Sequence, residues 1–77
     1  MKPSIISWNV RGLNEIGKRM KIRNLLRQWK VDIVCLQETK LTEVSSSMVR
    51  SLWGCVFADW CYLASRGAAG GIILMWD

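Results

Sequence analysis

Val31-Asp32-Ile33-Val34-Cys35-Leu36-Gln37 is the stretch on which the fold turns. Its apolar run is nearly unbroken, the pattern of a strand covered on both faces inside a layered α/β sheet rather than of a surface strand that alternates. Immediately before it the period changes. From about Lys18 to Lys30, residues Ile22, Leu25, Leu26 and Trp29 fall at i, i+3, i+4 and i+7 and form one helix face. Arg19, Lys21, Arg23, Arg27 and Lys30 occupy the remaining surface, with Lys18 at the edge of the apolar face. Earlier still, Pro3 to Val10 reads as a strand through Ile5, Ile6, Trp8 and Val10, ended by Arg11-Gly12-Leu13-Asn14, where Gly12 permits a positive φ. A strand, a helix and a strand in under forty residues form a crossover unit with parallel strands. Both strands then end on the same side of the sheet, outside which ligands of open α/β sheets bind.

Downstream, Leu41 to Trp53 reads as a second helix, with Val44, Met48 and Leu52 spaced by four, Thr42 as N-cap and Gly54 as stop. The Ser45-Ser46-Ser47 run is the alternative signal there, that of a linker. Val56 to Leu63 suggests a strand, residues 65–71 a flexible turn, and Ile72 to Trp76 a last strand. That last strand has no partner after it in the chain and is expected to leave a sheet edge unpaired. Gly70 and Gly71 lack the Gly-Lys-Ser/Thr ending and following helix of a phosphate loop, so they are assigned to a tight hairpin turn.

Composition narrows the function classes. Half of the 77 residues are hydrophobic, which excludes a disordered polymer. A domain of this size buries only ~60% of its unfolded surface. Five Trp call for a larger core than 77 residues easily close. Eleven Lys and Arg against six acids give a net charge of +5, a balance that suits a polyanion such as nucleic acid. The three Cys match no metal knuckle, and the absence of His excludes a Cys/His zinc site. Cys35, inside its apolar run, reads as a core thiol of a reducing compartment. The sequence reads as free of a signal peptide and of a membrane span. The expectation is an intracellular protein, with the nucleus among the compartments open to it.

Two polar groups follow the two apolar runs: Asn9 on the first strand, and Gln37-Glu38 on the second. Magnesium is bound through one or two carboxylates and keeps its waters and a substrate phosphate. Glu38 beside Asn9 meets that demand. From spacing alone, a solvated Glu at a strand exit and an Asn in a turn remain the simpler readings. Arg11 and Lys40 follow the two strand ends and are placed to meet a phosphodiester if a metal sits there. The basic helix face is read as the solvated back of an amphipathic helix.

Ser7-Trp8-Asn9-Val10-Arg11-Gly12-Leu13 followed by Asp32-Ile33-Val34-Cys35-Leu36-Gln37-Glu38-Thr39-Lys40 resembles the endonuclease/exonuclease/phosphatase superfamily. The closest flavour is the apurinic-type endonuclease domain of plant LINE-type (non-LTR) retrotransposon reverse transcriptases. The resemblance runs to Gly70-Gly71-Ile72-Ile73-Leu74-Met75-Trp76-Asp77, which looks like the next strand of the same domain. It implies a layered α/β sandwich with two central sheets. Residues 1–77 would be its N-terminal strand–helix–strand part, an incomplete domain cut short on the C-terminal side. It implies metal-assisted attack of water on a phosphodiester, commonly in DNA, with Mg2+ or Mn2+ as cofactor. Glu38 matches the family's metal-binding glutamate and Asn9 its active-site asparagine. Several relatives carry an acid or amide where this chain has Arg11. The family's general-base histidine, its partner aspartate and a central Asp/Asn pair lie beyond the matched part, so the chain is expected to be inactive alone. A phosphoinositide or sphingolipid phosphatase is the alternative within the family. Outside it, the alternative is a small basic nucleic-acid-binding or interaction module without catalysis.

Overall fold

The computed structural model describes residues 4–54, 59–67 and 69–76. In chain order the elements are β1 (Ile5–Asn9), α1 (Ile16–Trp29), β2 (Ile33–Gln37), α2 (Ser46–Leu52), β3 (Asp59–Leu63) and β4 (Ile72–Trp76). The four strands make one mixed sheet in the order β1-β2-β4-β3. The β1-α1-β2 crossover and its parallel pair are as the sequence implies, with Ile5 opposite Ile33 and Asn9 opposite Gln37. β4 instead runs antiparallel to both neighbours, pairing Gln37 with Ile72 on one side and Leu63 with Ile72 on the other. It therefore lies inside the sheet, and the expectation that it leaves an edge unpaired is corrected: the edges of this sheet are β1 and β3.

Register sorts the side chains into two faces, because strand neighbours alternate and paired residues share a side. Ile6, Val34, Met75 and Trp60 form one rung of the first face, and Trp8, Leu36, Ile73 and Tyr62 the next. Val34, Leu36, Ile73 and Met75 are fully buried there. They share one core with Ile22 and Leu26 of α1 and Val49 and Leu52 of α2. Both helices thus cover this face. The opposite face carries Ile5, Ile33 and Trp76, then Cys35 and Leu74, then Asn9, Gln37, Ile72 and Leu63, and no described helix packs on it. Ile5 is 64% exposed and Leu63 68%. β2 is therefore covered on one face rather than two, and Cys35 is half-buried on the open one.

Element boundaries moved for local reasons. α1 starts two residues before the expected Lys18, at Ile16, and ends on Lys30 in a left-handed conformation, whose N–H closes on the Leu26 carbonyl. Trp29 is half-exposed and leans against Trp8, their ring centroids 6.1 Å apart. α2 is shorter than the expected 41–53. Its cap is Ser45, whose side chain accepts the Met48 N–H at 3.2 Å, and not Thr42. Residues 41–44 are held outside the helix, where the Leu41 carbonyl takes the Ser65 N–H at 2.8 Å. The serine run weighed as a linker is the helix start. The first residues of the expected strand 56–63 lie outside the described residues.

Candidate active site

Beyond the carboxyl ends of β1 and β2 the ladder continues in irregular form. Val10 N–H donates to the Gln37 carbonyl at 3.0 Å, Gly12 to Glu38 at 2.7 Å and Leu13 to Thr39 at 2.9 Å. On the other side, Thr39 N–H donates to Gly71 at 3.1 Å and Lys40 to Gly70 at 2.9 Å. Three segments, 10–13, 38–40 and 70–71, are thereby zipped into one layer over the sheet end. Glu38 sits in the middle segment, its own carbonyl and both backbone groups of Thr39 engaged.

The backbone there is left-handed at Arg11, Glu38 and Lys40 (φ 54, 54 and 58°) and has positive φ at Gly12, Gly70 and Gly71. Such a conformation is uncommon outside glycine, costs on the order of 1–3 kcal/mol per residue, and gathers at functional sites. At Glu38 it has a direct consequence. Strand alternation would aim residue 38 toward the helices, as it aims the buried Val10. The left-handed turn breaks that alternation, and Glu38 is exposed.

Asn9 lies on the open face opposite Gln37, whose Nε2 donates to Ser7 Oγ at 3.0 Å. Asn9 and Glu38 thus occupy the same end of two adjacent parallel strands, one residue out of register, and both are exposed. Arg11 and Lys40 are brought together. Both line a cleft of about 190 Å³ with Gly12, Asn14, Glu15 and Lys18. The stem of Lys40 lies against Gly12, where an added Cβ would meet its Cδ at 3.6 Å. The donor set fits an open, water-rich magnesium site: one carboxylate and one amide, both reachable by solvent. It does not fit a closed cage, since no group of three or more His, Cys, Asp or Glu among the described residues could hold a metal ion.

Two supporting residues escaped the sequence reading. Thr39 is 1% exposed, and its Oγ1 accepts the Leu41 N–H at 3.4 Å. A Cβ at Gly71 would fall onto that same oxygen. Gly71 therefore serves the close docking of β4 onto residues 39–40, Gly70 accepts the Lys40 N–H with open space where a Cβ would stand, and the hairpin turn itself is closed by paired hydrogen bonds between Arg66 and Ala69. The signal was present in the two adjacent glycines, but spacing does not tell a turn from a close backbone approach. The second is Lys18, whose ammonium leaves the apolar edge and reaches the Val10 and Arg11 carbonyls at 2.9 and 3.2 Å.

A family model described as the Endonuclease/Exonuclease/phosphatase family matches residues 6–76. The chain belongs to that family. It is 44% identical over 66 residues to an exodeoxyribonuclease of Bacillus subtilis (strain 168), a match covering 86% of this chain and 25% of that protein. Among solved structures, it resembles the AP endonuclease LMAP from Leishmania major, with TM-score 0.68 and 25% identity, over 97% of this chain and 24% of that one. It also resembles the catalytic domain of Xenopus laevis APE2, with TM-score 0.63 and 25% identity, over 96% of this chain and 23% of that one. The 3' phosphatase NExo from Neisseria, solved with a product DNA hairpin, shares the fold at TM-score 0.69 and 23% identity, over 97% and 27%. The chain spans about a quarter of the length of these relatives. No helix among the described residues is long and apolar enough to cross a membrane.

Proposed function

We propose that this chain is the opening part of a divalent-metal-dependent nuclease domain acting on DNA phosphodiesters. In this reading Glu38 and Asn9 hold Mg2+ or Mn2+, and Arg11 and Lys40 meet the phosphate backbone. The observation that carries it is the joint delivery of Asn9 and Glu38 by adjacent parallel strands to one sheet end, zipped together by the Gly12–Glu38 and Val10–Gln37 hydrogen bonds. Bound magnesium supplies polarisation of a phosphoryl oxygen and stabilises the leaving oxygen. The residues of this chain do the rest of the positioning: Glu38 as the anionic ligand, Asn9 as an orienting amide, and Arg11 and Lys40, two residues on from each, as cations that line one cleft together with Lys18.

Family membership and the exodeoxyribonuclease relative support a nuclease. The quarter-length coverage supports a larger domain of which residues 1–77 are one piece. A retroelement origin rests on the paired motifs Ser7–Leu13 and Asp32–Lys40. The 77 residues hold no His, so no imidazole is at hand to take the proton of an attacking water. The isolated chain therefore binds metal and DNA without turnover.

Titration of the 15N-labelled chain with Mn2+ tests this. Paramagnetic broadening is expected first at the Asn9 side-chain amide and the Glu38 amide, with affinity weakened about tenfold or more in Glu38→Gln, at least the loss seen when a group behind a metal ligand is removed. Plasmid DNA stays uncut in magnesium. Broadening that ignores Glu38→Gln, alongside salt-sensitive DNA binding, would establish the non-catalytic basic module instead.

A further inference from the structure

Three cations line the cleft at the sheet end, but they are not equivalent. Arg11 and Lys40 are exposed. Lys18 is partly buried, and its ammonium donates to two successive main-chain carbonyls, Val10 at 2.9 Å and Arg11 at 3.2 Å. Among the described residues β1 is an edge strand, and no further described strand donates to the carbonyls at its end. The N–H groups of the same turn, on Val10, Gly12 and Leu13, are held from the other side by residues 37–39. Lys18 supplies the missing donors on the outer side. Hydrogen bonds from an ionised donor are roughly twice as strong as neutral ones, and these two straddle the left-handed Arg11.

We propose that Lys18 is a positioning residue for the metal and phosphate end of the sheet. Its ammonium ties the start of α1 to the Asn9–Gly12 turn, holds Arg11 in its left-handed conformation, and so fixes Asn9 and Arg11 relative to Glu38. The inference rests on the nuclease reading for what is positioned, but not for the tether itself. The cations of the cleft then have separate roles. Lys18 holds the frame, and Arg11 and Lys40 remain for the substrate.

The test compares Lys18→Met, which keeps the stem and loses the donors, with Lys18→Arg, which keeps charge and donors. Amide hydrogen exchange is followed residue by residue in the full chain. In Lys18→Met, exchange at Gly12 and Leu13 is expected to rise about tenfold while Ile73 and Met75 stay within about twofold, the signature of a local opening rather than a global one. Lys18→Arg restores Gly12 and Leu13. Mn2+ affinity at Glu38 falls about fivefold in Lys18→Met, a loss transmitted through the turn, since Lys18 is not itself a ligand. Unchanged exchange at Gly12 and Leu13, or an equal rise across the whole sheet, overturns the tether. Altered exchange with Mn2+ affinity unaffected overturns the positioning role. If the wild-type chain takes up no Mn2+ at Glu38, the nuclease reading falls, and exchange still decides the tether. Should Lys18→Met not fold, the wild-type ammonium protons decide: those of Lys18 exchange more slowly than those of the exposed Lys21, and equal rates refute the contact.

Discussion

The two faces of the sheet are built by the same four strands and meet different fates. On β2, Val34 and Leu36 are fully buried beneath the helices, while Ile33 and Cys35, their immediate neighbours, are only half-buried on the other side. Burial follows the cover, not the residue type. An isoleucine on the open side of β1 is 64% exposed. The helix-covered face therefore accounts for most of the stability of this sheet. The open face is an apolar surface whose contribution depends on what lies against it.

The most direct test exchanges one residue on each side of the same strand. Leu36→Ala removes a fully buried side chain from the shared core and is expected to cost about 2–5 kcal/mol. A domain of this size has a total stability on the order of 5 kcal/mol, so that variant should be largely unfolded in a urea titration followed by circular dichroism. Ile33→Ala, on the same strand but facing the open side, should cost less, about 1–2 kcal/mol, because its side chain is only partly removed from water. Equal losses would mean that the open face is covered in solution and that the two sides of β2 are alike.

How much of this was legible in the sequence divides along the same line. The β1-α1-β2 unit could be read because each element carries its own period. Asn9 and Glu38 each follow an apolar run, but spacing alone favoured a turn residue and a solvated acid there, and only the family resemblance singled them out. The run Val31–Leu36 also suggested two covered faces, since hydrophobicity states what a side chain prefers and not whether a partner is present. The insertion of β4 between β2 and β3 was not legible, because strand order is set by pairing across distant residues such as Gln37 and Ile72. Within the site, Thr39 and Lys18 were missed for a related reason. A buried threonine and a lysine bound to carbonyls look like surface residues until the backbone is bent toward them, and that bend comes from left-handed turns at Arg11, Glu38 and Lys40, residue types that do not advertise it.

At the site end neither face's rule applies, and a smaller substitution should rival a core truncation. Gly71→Ala adds one methyl group at φ 95° that falls onto the Thr39 oxygen. The conformational cost of a side chain at positive φ and the displaced threonine together are expected to destabilise by roughly 2–3 kcal/mol. Combining it with Thr39→Ala separates the two: the contact part should be recovered and the backbone part should remain, as a double-mutant cycle reads directly. Strict additivity would mean that β4 does not dock on residues 39–40 as described.

The smallest effect concerns the cover itself. α2 has seven residues, too few to persist by propensity alone, so it depends on packing through Val49 and Leu52 and on its cap. Ser45 Oγ accepts the Met48 N–H, one of the orphan donors at a helix start. Ser45→Ala should cost about 1 kcal/mol, and Ser45→Asp, which keeps an acceptor at the same place, much less. Amide exchange should then quicken at Met48 and Val49 before it does at Ile22 and Leu26, since α1 is twice as long and carries its own buried pair. Loosening confined to α2 would show that the two helices cover the sheet independently. If α1 loosened equally, the two would have to be treated as one layer, and the covered face would have a single point of failure at a serine cap.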